Sequence, residues 1–133
     1  MVKVSQVDLS QIMGEDDRGW GMNPVKAAGL TDQAVHNLHV VSLRPGVKRA
    51  NHYHKEGTEW LLAFGSPTRF VWRVKDETEC TEEIIQGEGP TLFEIPPFVE
   101  HVIINAGQEK DLYLVVFYDQ PDPETLPSKG LTP

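Results

Sequence analysis

Short segments with the pattern of β-strands, separated by turns rich in glycine and proline, constrain the fold of this chain more than any other feature. Ala27–Gln33 is too short, and too broken by Gly29, to predict a helix, although Thr31 or Asp32 can cap a single turn. The predicted strands are Val2–Val7, Asn37–Leu43, His52–His54, Glu59–Phe64, Thr68–Val74, Cys80–Ile85, Thr91–Ile95, a run beginning at His101, and Leu112–Tyr118. Such a series predicts an all-β sandwich or barrel.

The length of 133 residues is that of one domain with its own buried core. Within this single domain we predict an N-terminal strand and loops over 1–36, a barrel over 37–118, and an extended tail over 119–133. The tail is rich in proline, so we expect it to pack on the outside or to be partly disordered.

The formal net charge of −8 argues against nucleic acid or an anionic membrane as the main partner. The lone Cys80 cannot form an internal disulfide, and the start Met-Val-Lys-Val-Ser lacks the apolar run of a signal peptide. No apolar stretch approaches the roughly 20 residues that span a bilayer. These features predict a cytoplasmic protein.

Four side chains are candidate metal ligands. His52 and His54 are two residues apart in a predicted strand, so both imidazoles face the same side. Glu59 follows after a short interruption in which Gly57 can supply a turn. His101 begins a later apolar run with the period of an inward-facing strand. Together they predict one divalent metal site.

The donor types limit the metal. Neutral imidazoles with one carboxylate suit iron(II), manganese, nickel, cobalt or zinc, and Cys80 lies outside the cluster. The alternative is that His52 and His54 are ordinary exposed strand residues. His39 alternates with Asn37 and Val41 and is interpreted as a hydrogen-bonded lining residue rather than a further ligand.

The ligand pattern resembles the two sequence motifs of the cupin superfamily. The first motif is matched in order by Gly46, His52, His54, Glu59 and Gly65, with a final gap one residue shorter than usual. This resemblance implies a double-stranded β-helix, also called a jelly-roll or cupin-type barrel, that holds a metal ion.

The second cupin motif is matched by Pro96, His101 and Asn105. Phe98 stands where that motif has its middle glycine, and Gly89 comes one residue early. The shape of this turn is therefore expected to differ while the ligand position is kept.

The segment Arg49–Trp60 is similar to the Arg-Gly-Asn-His-Tyr-His-Lys signature of cupin modules in capsule and deoxysugar biosynthesis, with Ala50 in place of the glycine. The resemblance implies a carbohydrate substrate and isomerase or epimerase chemistry. A metal-dependent dioxygenase and a non-catalytic sugar-binding or sensing module remain the alternatives, because cupins host many functions.

Two arginines are candidates for holding an anionic, sugar-like ligand. Arg18 lies in a stretch that resembles the Asp-x-Arg-Gly element of cupins acting on nucleotide-linked sugars. Arg49 precedes His52 by three residues, where its planar guanidinium can clamp a phosphate or carboxylate. The alternative is that both are surface charges.

Aromatic side chains supply the remaining candidates. Their usual role is core packing, and their functional alternative is a platform for a sugar ring or base. The candidates are Trp60, Phe70, Trp72, Phe93 and Tyr113. A homodimer is also predicted, because Trp60, Leu62 and Phe64 lie on the strand face opposite Glu59.

Overall fold

The computed structural model describes residues 1–8 and 14–131, and most of its regular structure is β-strand. The helical elements in the described part are one α-helical turn, α1 (Pro24–Ala27), and a 3-10 turn at Asp32–Ala34. The strands are β1 (Lys3–Gln6), β2 (Gly14–Asp16), β3 (Gly19–Gly21), β4 (His36–Leu43), β5 (Lys48–His54), β6 (Glu59–Phe64), β7 (Thr68–Val74), β8 (Thr81–Ile85), β9 (Thr91–Ile95), β10 (Val99–Asn105), β11 (Leu112–Tyr118) and β12 (Thr125–Pro127).

Two five-stranded antiparallel sheets form the body of the protein. The first sheet has the order β1-β9-β6-β11-β4 and the second the order β12-β5-β10-β7-β8, while β2 and β3 form a separate hairpin. Neighbouring strands are mostly not consecutive in sequence, as in a jelly roll. The predicted all-β, jelly-roll fold is therefore confirmed.

The main core lies between the two sheets. Leu61 and Ala63 of β6 belong to it, whereas Trp60 and Leu62 belong to a second cluster on the outer face of the same sheet. This alternation is the one predicted for a strand with both faces buried. The largest wholly buried side chains of the main core are Phe70, Phe93, Leu43, Ile95, Ile103 and Leu112.

The N-terminal part of the same chain covers the outer face of the first sheet. Trp60 packs parallel to Phe117 with ring centroids 5.7 Å apart, and its indole Nε1 donates to Glu94 Oε1 at 3.1 Å. Partly buried apolar side chains pack on this cluster, among them Val7, Met22, Ala27, Ala28, Leu30 and Val35. The outer face that carries Trp60 and Leu62 is therefore covered by the chain itself, and the homodimer stays a prediction.

The C-terminal residues 119–131, here called the strap, pack on the outside of the second sheet, which is one of the two arrangements predicted for the tail. β12 adds to the second sheet by pairing with β5, and Leu131 is buried against Val71 and Val102.

Among residues 1–8 and 14–131, no helix is long and apolar enough to cross a bilayer.

Candidate metal centre

Three strands place the four predicted ligands inside the barrel. His52 and His54 lie on β5, and His101 on β10 stands directly opposite His52 in the register of the pair. Glu59 is the first residue of β6, in the facing sheet. The connection between β5 and β6 turns at Gly57, whose φ of 79° lies in the left-handed region. Residues from both sheets thus meet at one point.

The imidazoles surround one oxygen of the glutamate. Glu59 Oε1 lies 3.0 Å from His101 Nε2, 3.2 Å from His54 Nε2 and 3.8 Å from His52 Nε2. One ligand atom from each of His52, His54 and Glu59 lies within 4.8 Å of the other two. The side chains of His54, His101 and Glu59 are almost fully buried, whereas that of His52 is 22% exposed. The cluster is therefore closed except on the His52 side.

Backbone carbonyls fix the orientation of two of the rings. Nδ1 of His54 lies 2.9 Å from the carbonyl of Glu124 in the strap, and Nδ1 of His101 lies 3.0 Å from the carbonyl of Val99. A carbonyl can only accept, so both Nδ1 atoms carry the proton and donate it. Each Nε2 consequently presents a lone pair to the cluster, as a metal-binding histidine requires.

With the protons of His54 and His101 on Nδ1, their short contacts to Glu59 Oε1 set lone pair against lone pair, so the donor atoms of the cluster make no hydrogen bond in the described part of the chain. The atoms are Nε2 of His52, His54 and His101, together with Glu59 Oε1. Unsatisfied buried polar atoms are rare and costly, and four at one point call for an explanation. A divalent cation accepts all four lone pairs and offsets the carboxylate charge, so the donor set fits such an ion.

The shifts in pKa favour the metal-binding protonation states of Glu59 and His52. Burial works to raise the pKa of Glu59, but the histidines, His101 first among them, outweigh it and hold that pKa well below its usual value. Burial is the main cause that lowers the pKa of His52. For His54, burial acts downward, but Glu59 and the Glu124 carbonyl together raise its pKa. An ionised Glu59 and a neutral His52 are the forms that bind metal.

Tyr118 is a site residue that sequence reasoning missed. Its hydroxyl donates to Glu59 Oε2 at 3.3 Å, and burial, followed by the charge of Glu59, raises the pKa of the phenol. Tyr113 was the residue of this strand proposed for core packing or for a ligand platform, but it is 41% exposed and stacks on Phe64 outside the barrel. Alternation from the inward Leu114 and Val116 was the signal that pointed to Tyr118.

A cavity of about 170 Å³, here called the mouth cavity, opens beside the cluster. Its polar lining comes from His52 and Glu59 of the cluster and from His39, Arg49 and Tyr118. The remaining lining is mainly aliphatic and consists of Val41, Ala50, Leu61, Ile103, Leu114 and Val116. The cluster therefore faces a small cavity with one cation and apolar walls.

Arg49 reaches the mouth cavity because β5 is irregular. In a regular strand, residues three apart face opposite sides, so Arg49 and His52 would point apart. In this strand His52 pairs with His101 but Ala50 pairs with Val102, so one extra residue, Asn51, is inserted as a β-bulge. The bulge turns Arg49 to the same cavity as His52.

Left-handed backbone occurs at Ala50 and Phe98, which stand where the motifs that the chain resembles have glycine, and also at Asn51. Ala50 has a φ of 75° and Asn51 of 66°, which form the bulge, and Phe98 has a φ of 61°. The Phe98 amide donates to the His54 carbonyl at 2.8 Å, so the turn also ties down the end of β5. Phe98 thus adopts a conformation that suits glycine, and the predicted difference in the shape of the turn stays a prediction.

The structure does not bring the other predicted binding residues to this cavity. Arg18 lies on the β2–β3 hairpin, exposed and paired with Asp16. Trp60 faces outward under the N-terminal segment. Trp72 is buried in the main core, and its indole nitrogen has no partner among the residues that the structure describes. Of Arg18, Arg49, Trp60 and Trp72, Arg49 alone lines the mouth cavity.

The two packed sheets and the inward His/Glu cluster define a cupin-type barrel. Residues 14–126 match the family described as the polysaccharide biosynthesis C-terminal domain, and the chain belongs to that family. Comparison with curated proteins finds no significant match.

Several solved structures share this fold. The capsular polysaccharide assembling protein CapF from Staphylococcus aureus aligns with a TM-score of 0.63 and 22% identity over 70% of this chain and 26% of its own. This chain therefore spans about a quarter of CapF. A 3,4-ketoisomerase from Helicobacter canadensis aligns with a TM-score of 0.63 and 18% identity over 86% of this chain and 81% of its own.

A third similar structure contains a nucleotide sugar. The 3'-monoepimerase ChmJ from Streptomyces bikiniensis, in complex with dTDP-quinovose, aligns with a TM-score of 0.58 and 15% identity over 77% of this chain and 58% of its own. At these identities, the three likenesses establish the shared fold.

Proposed function

We propose that this protein binds one divalent metal ion through His52, His54, Glu59 and His101 and acts as an isomerase or epimerase on a nucleotide-linked keto sugar. The observation that carries the proposal is the set of four unpartnered donor atoms beside the mouth cavity. The family match in polysaccharide biosynthesis and the similar ketoisomerase and epimerase support the substrate class.

The bound ion would supply Lewis-acid polarisation of a carbonyl oxygen. The surrounding residues decide what reaches that position. Because His52 is the exposed member of the cluster, a ligand approaches from the mouth cavity. A volume of about 170 Å³ is small compared with the roughly 300–1,000 Å³ of larger ligand pockets, so it suits a single sugar ring.

Arg49 is the residue proposed to hold the anionic part of the ligand. Its Nε donates to the Ser42 carbonyl at 3.0 Å, which fixes the guanidinium at the rim. Within residues 1–8 and 14–131, its terminal nitrogens have no partner, so both remain able to donate. A diphosphate or carboxylate is the chemistry that such a planar fork recognises.

Turnover of a defined compound tests the proposal. The 4-keto derivative of dTDP-quinovose is incubated with metal-loaded protein in D2O, and proton NMR follows exchange next to the carbonyl and formation of an isomer. Exchange or isomerisation is expected. Oxygen consumption without an isomer would favour a dioxygenase, and saturable binding without chemical change would favour a binding module; either result would contradict the proposed activity.

Calorimetric titration with dTDP-quinovose tests the proposed role of Arg49. Arg49→Ala is expected to weaken binding by about tenfold or more, the loss of a charge-assisted hydrogen bond. Arg18→Ala is the control, because Arg18 lies outside the mouth cavity, and it should leave the affinity unchanged. Equal affinity of the Arg49 variant and the wild type would refute the clamp while leaving the metal site in place.

A further inference from the structure

His39 is a titratable side chain of the mouth cavity that the metal cluster does not use. It lies on β4 of the first sheet and lines the cavity together with His52, Glu59 and Arg49. Its ring is nearly parallel to that of Tyr118, with an interplanar angle of 20° and centroids 6.3 Å apart. It therefore stands beside the cluster, at the rim through which a ligand enters.

The backbone fixes the tautomer of His39. Nδ1 lies 2.8 Å from the carbonyl of Asn37, and a carbonyl can only accept, so Nδ1 carries the proton. Asn37 has a φ of 53°, a conformation that few residues other than glycine adopt but that asparagine tolerates. The opposite nitrogen, Nε2, keeps its lone pair, and the described residues offer it no hydrogen-bond donor.

The other titratable groups of the mouth cavity cannot accept a proton from the substrate, because each has another role or stays protonated. His52 and Glu59 belong to the cluster, and Arg49 stays protonated in proteins. The Tyr118 hydroxyl donates to Glu59 Oε2, and burial keeps the phenol protonated. Among the residues that line this cavity, His39 alone has a free basic atom outside the metal cluster.

We infer that Nε2 of His39 is the base that moves the substrate proton, an inference that rests on the proposed isomerase or epimerase function. Nε2 takes the proton from the carbon next to the carbonyl. The electron pair of the broken C–H bond forms the C=C bond of an enolate, and the carbonyl π pair moves to its oxygen. In an isomerisation the proton of the adjacent hydroxyl moves to the enolate oxygen, and the imidazolium returns its proton to the former carbonyl carbon, which leaves the carbonyl on the neighbouring carbon. The step therefore needs no oxidant or reductant.

The test compares His39→Gln with His36→Gln. His36 is the same residue type on the same strand, but it does not line the mouth cavity. Three quantities are measured for each protein: metal content, affinity for dTDP-quinovose, and the rate of deuterium exchange into the 4-keto derivative. His39→Gln is expected to slow exchange by about 100-fold or more while keeping metal and affinity, and His36→Gln should match the wild type.

Chemical rescue separates proton transfer from a structural role. In His39→Ala, added imidazole is expected to restore part of the exchange rate, because it can occupy the vacated space and accept the proton. An exchange rate in His39→Gln equal to the wild type would overturn the role of His39 and leave the proposed function standing. Two other results would also overturn the role of His39 alone. One is a loss of metal or affinity in His39→Gln as large as its loss of rate, and the other is a failure of imidazole to restore exchange in His39→Ala. A wild-type protein with no exchange would overturn the proposed function and this inference together.

Discussion

The two paired strands that carry histidine ligands, β5 and β10, hold them in different ways. β10 pairs with β7 along its whole length, and His101 within it is completely buried. β5 is interrupted by the bulge at Ala50 and Asn51 and is bounded on its outer side by β12. Packing therefore fixes the ligand on β10, whereas backbone irregularity and the strap fix those on β5.

The regular strand β10 and the bulged strand β5 contribute differently to folding and to ligand binding. The regular strand provides a ligand whose position follows from the core, and it contributes Ile103 to the wall of the mouth cavity. The pairing of the irregular strand β5 is interrupted by the bulge, and the bulge places Arg49 in the same cavity as His52. Changes in β10 should therefore act mainly on folding, and changes around β5 should act on the site as well.

The largest effect is expected in β10. Ile103 is 1% exposed in the main core, so Ile103→Ala removes buried methylene groups and leaves a void; we expect it to lower the free energy of unfolding by about 3 kcal/mol. Urea denaturation measures this. Val47→Ala is the control, because Val47 is 44% exposed, and it should change stability by less than about 0.5 kcal/mol. Similar losses for the two variants would show that β10 does not carry the core as described.

A smaller effect, on both stability and metal affinity, is expected in the strap. Leu131 is 2% exposed and anchors the strap against Val71 and Val102, so Leu131→Ala should lower the free energy of unfolding by about 2 kcal/mol. The strap also supplies the Glu124 carbonyl that orients His54, so its loosening should weaken metal binding, by about tenfold in a chelator competition.

The control for the strap is Leu38→Ala, since Leu38 is 59% exposed on the edge strand β4. Leu38→Ala should change neither the free energy of unfolding nor the affinity for metal. Loss of stability by Leu131→Ala with metal affinity unchanged would mean that the strap does not position His54.

The smallest effect is a gain in stability at the bulge. Ala50 has a φ of 75°, where a side chain costs about 1 kcal/mol or more, so Ala50→Gly should raise the free energy of unfolding by about 1 kcal/mol. Ala28 has an ordinary φ of −76°, and Ala28→Gly should lower stability by about 0.5–1 kcal/mol. Destabilisation by both substitutions in thermal unfolding would show that the bulge is not strained.

The sequence predicted the features that depend on local alternation. The two faces of β6 follow from its period, and the convergence of His52 and His54 follows from their separation by two residues. The two cupin motifs pointed to the barrel that joins these strands to Glu59 and His101.

Features that depend on distant pairing were not predicted. The bulge at Asn51 is defined by the register against β10, about 50 residues along the chain, and its residues are not glycines. The prolines of the strap predicted an extended tail, packed on the outside or partly disordered, but not the pairing of β12 with β5. Edge-strand pairing tolerates proline, as at Pro127 opposite His52. The cover over Trp60 comes from a glycine-rich N-terminal region with weak periodicity.

Metal content measured on purified protein tests the central claim most directly. The wild type, loaded with a divalent ion and freed of excess, is expected to retain one ion per chain by elemental analysis. The double variant His52→Ala, His54→Ala should retain none, because half of the donor set is removed. The double variant His36→Ala, His39→Ala is the control, and it should retain the ion. An ion content in the His52, His54 double variant equal to that of the wild type would contradict the assigned site.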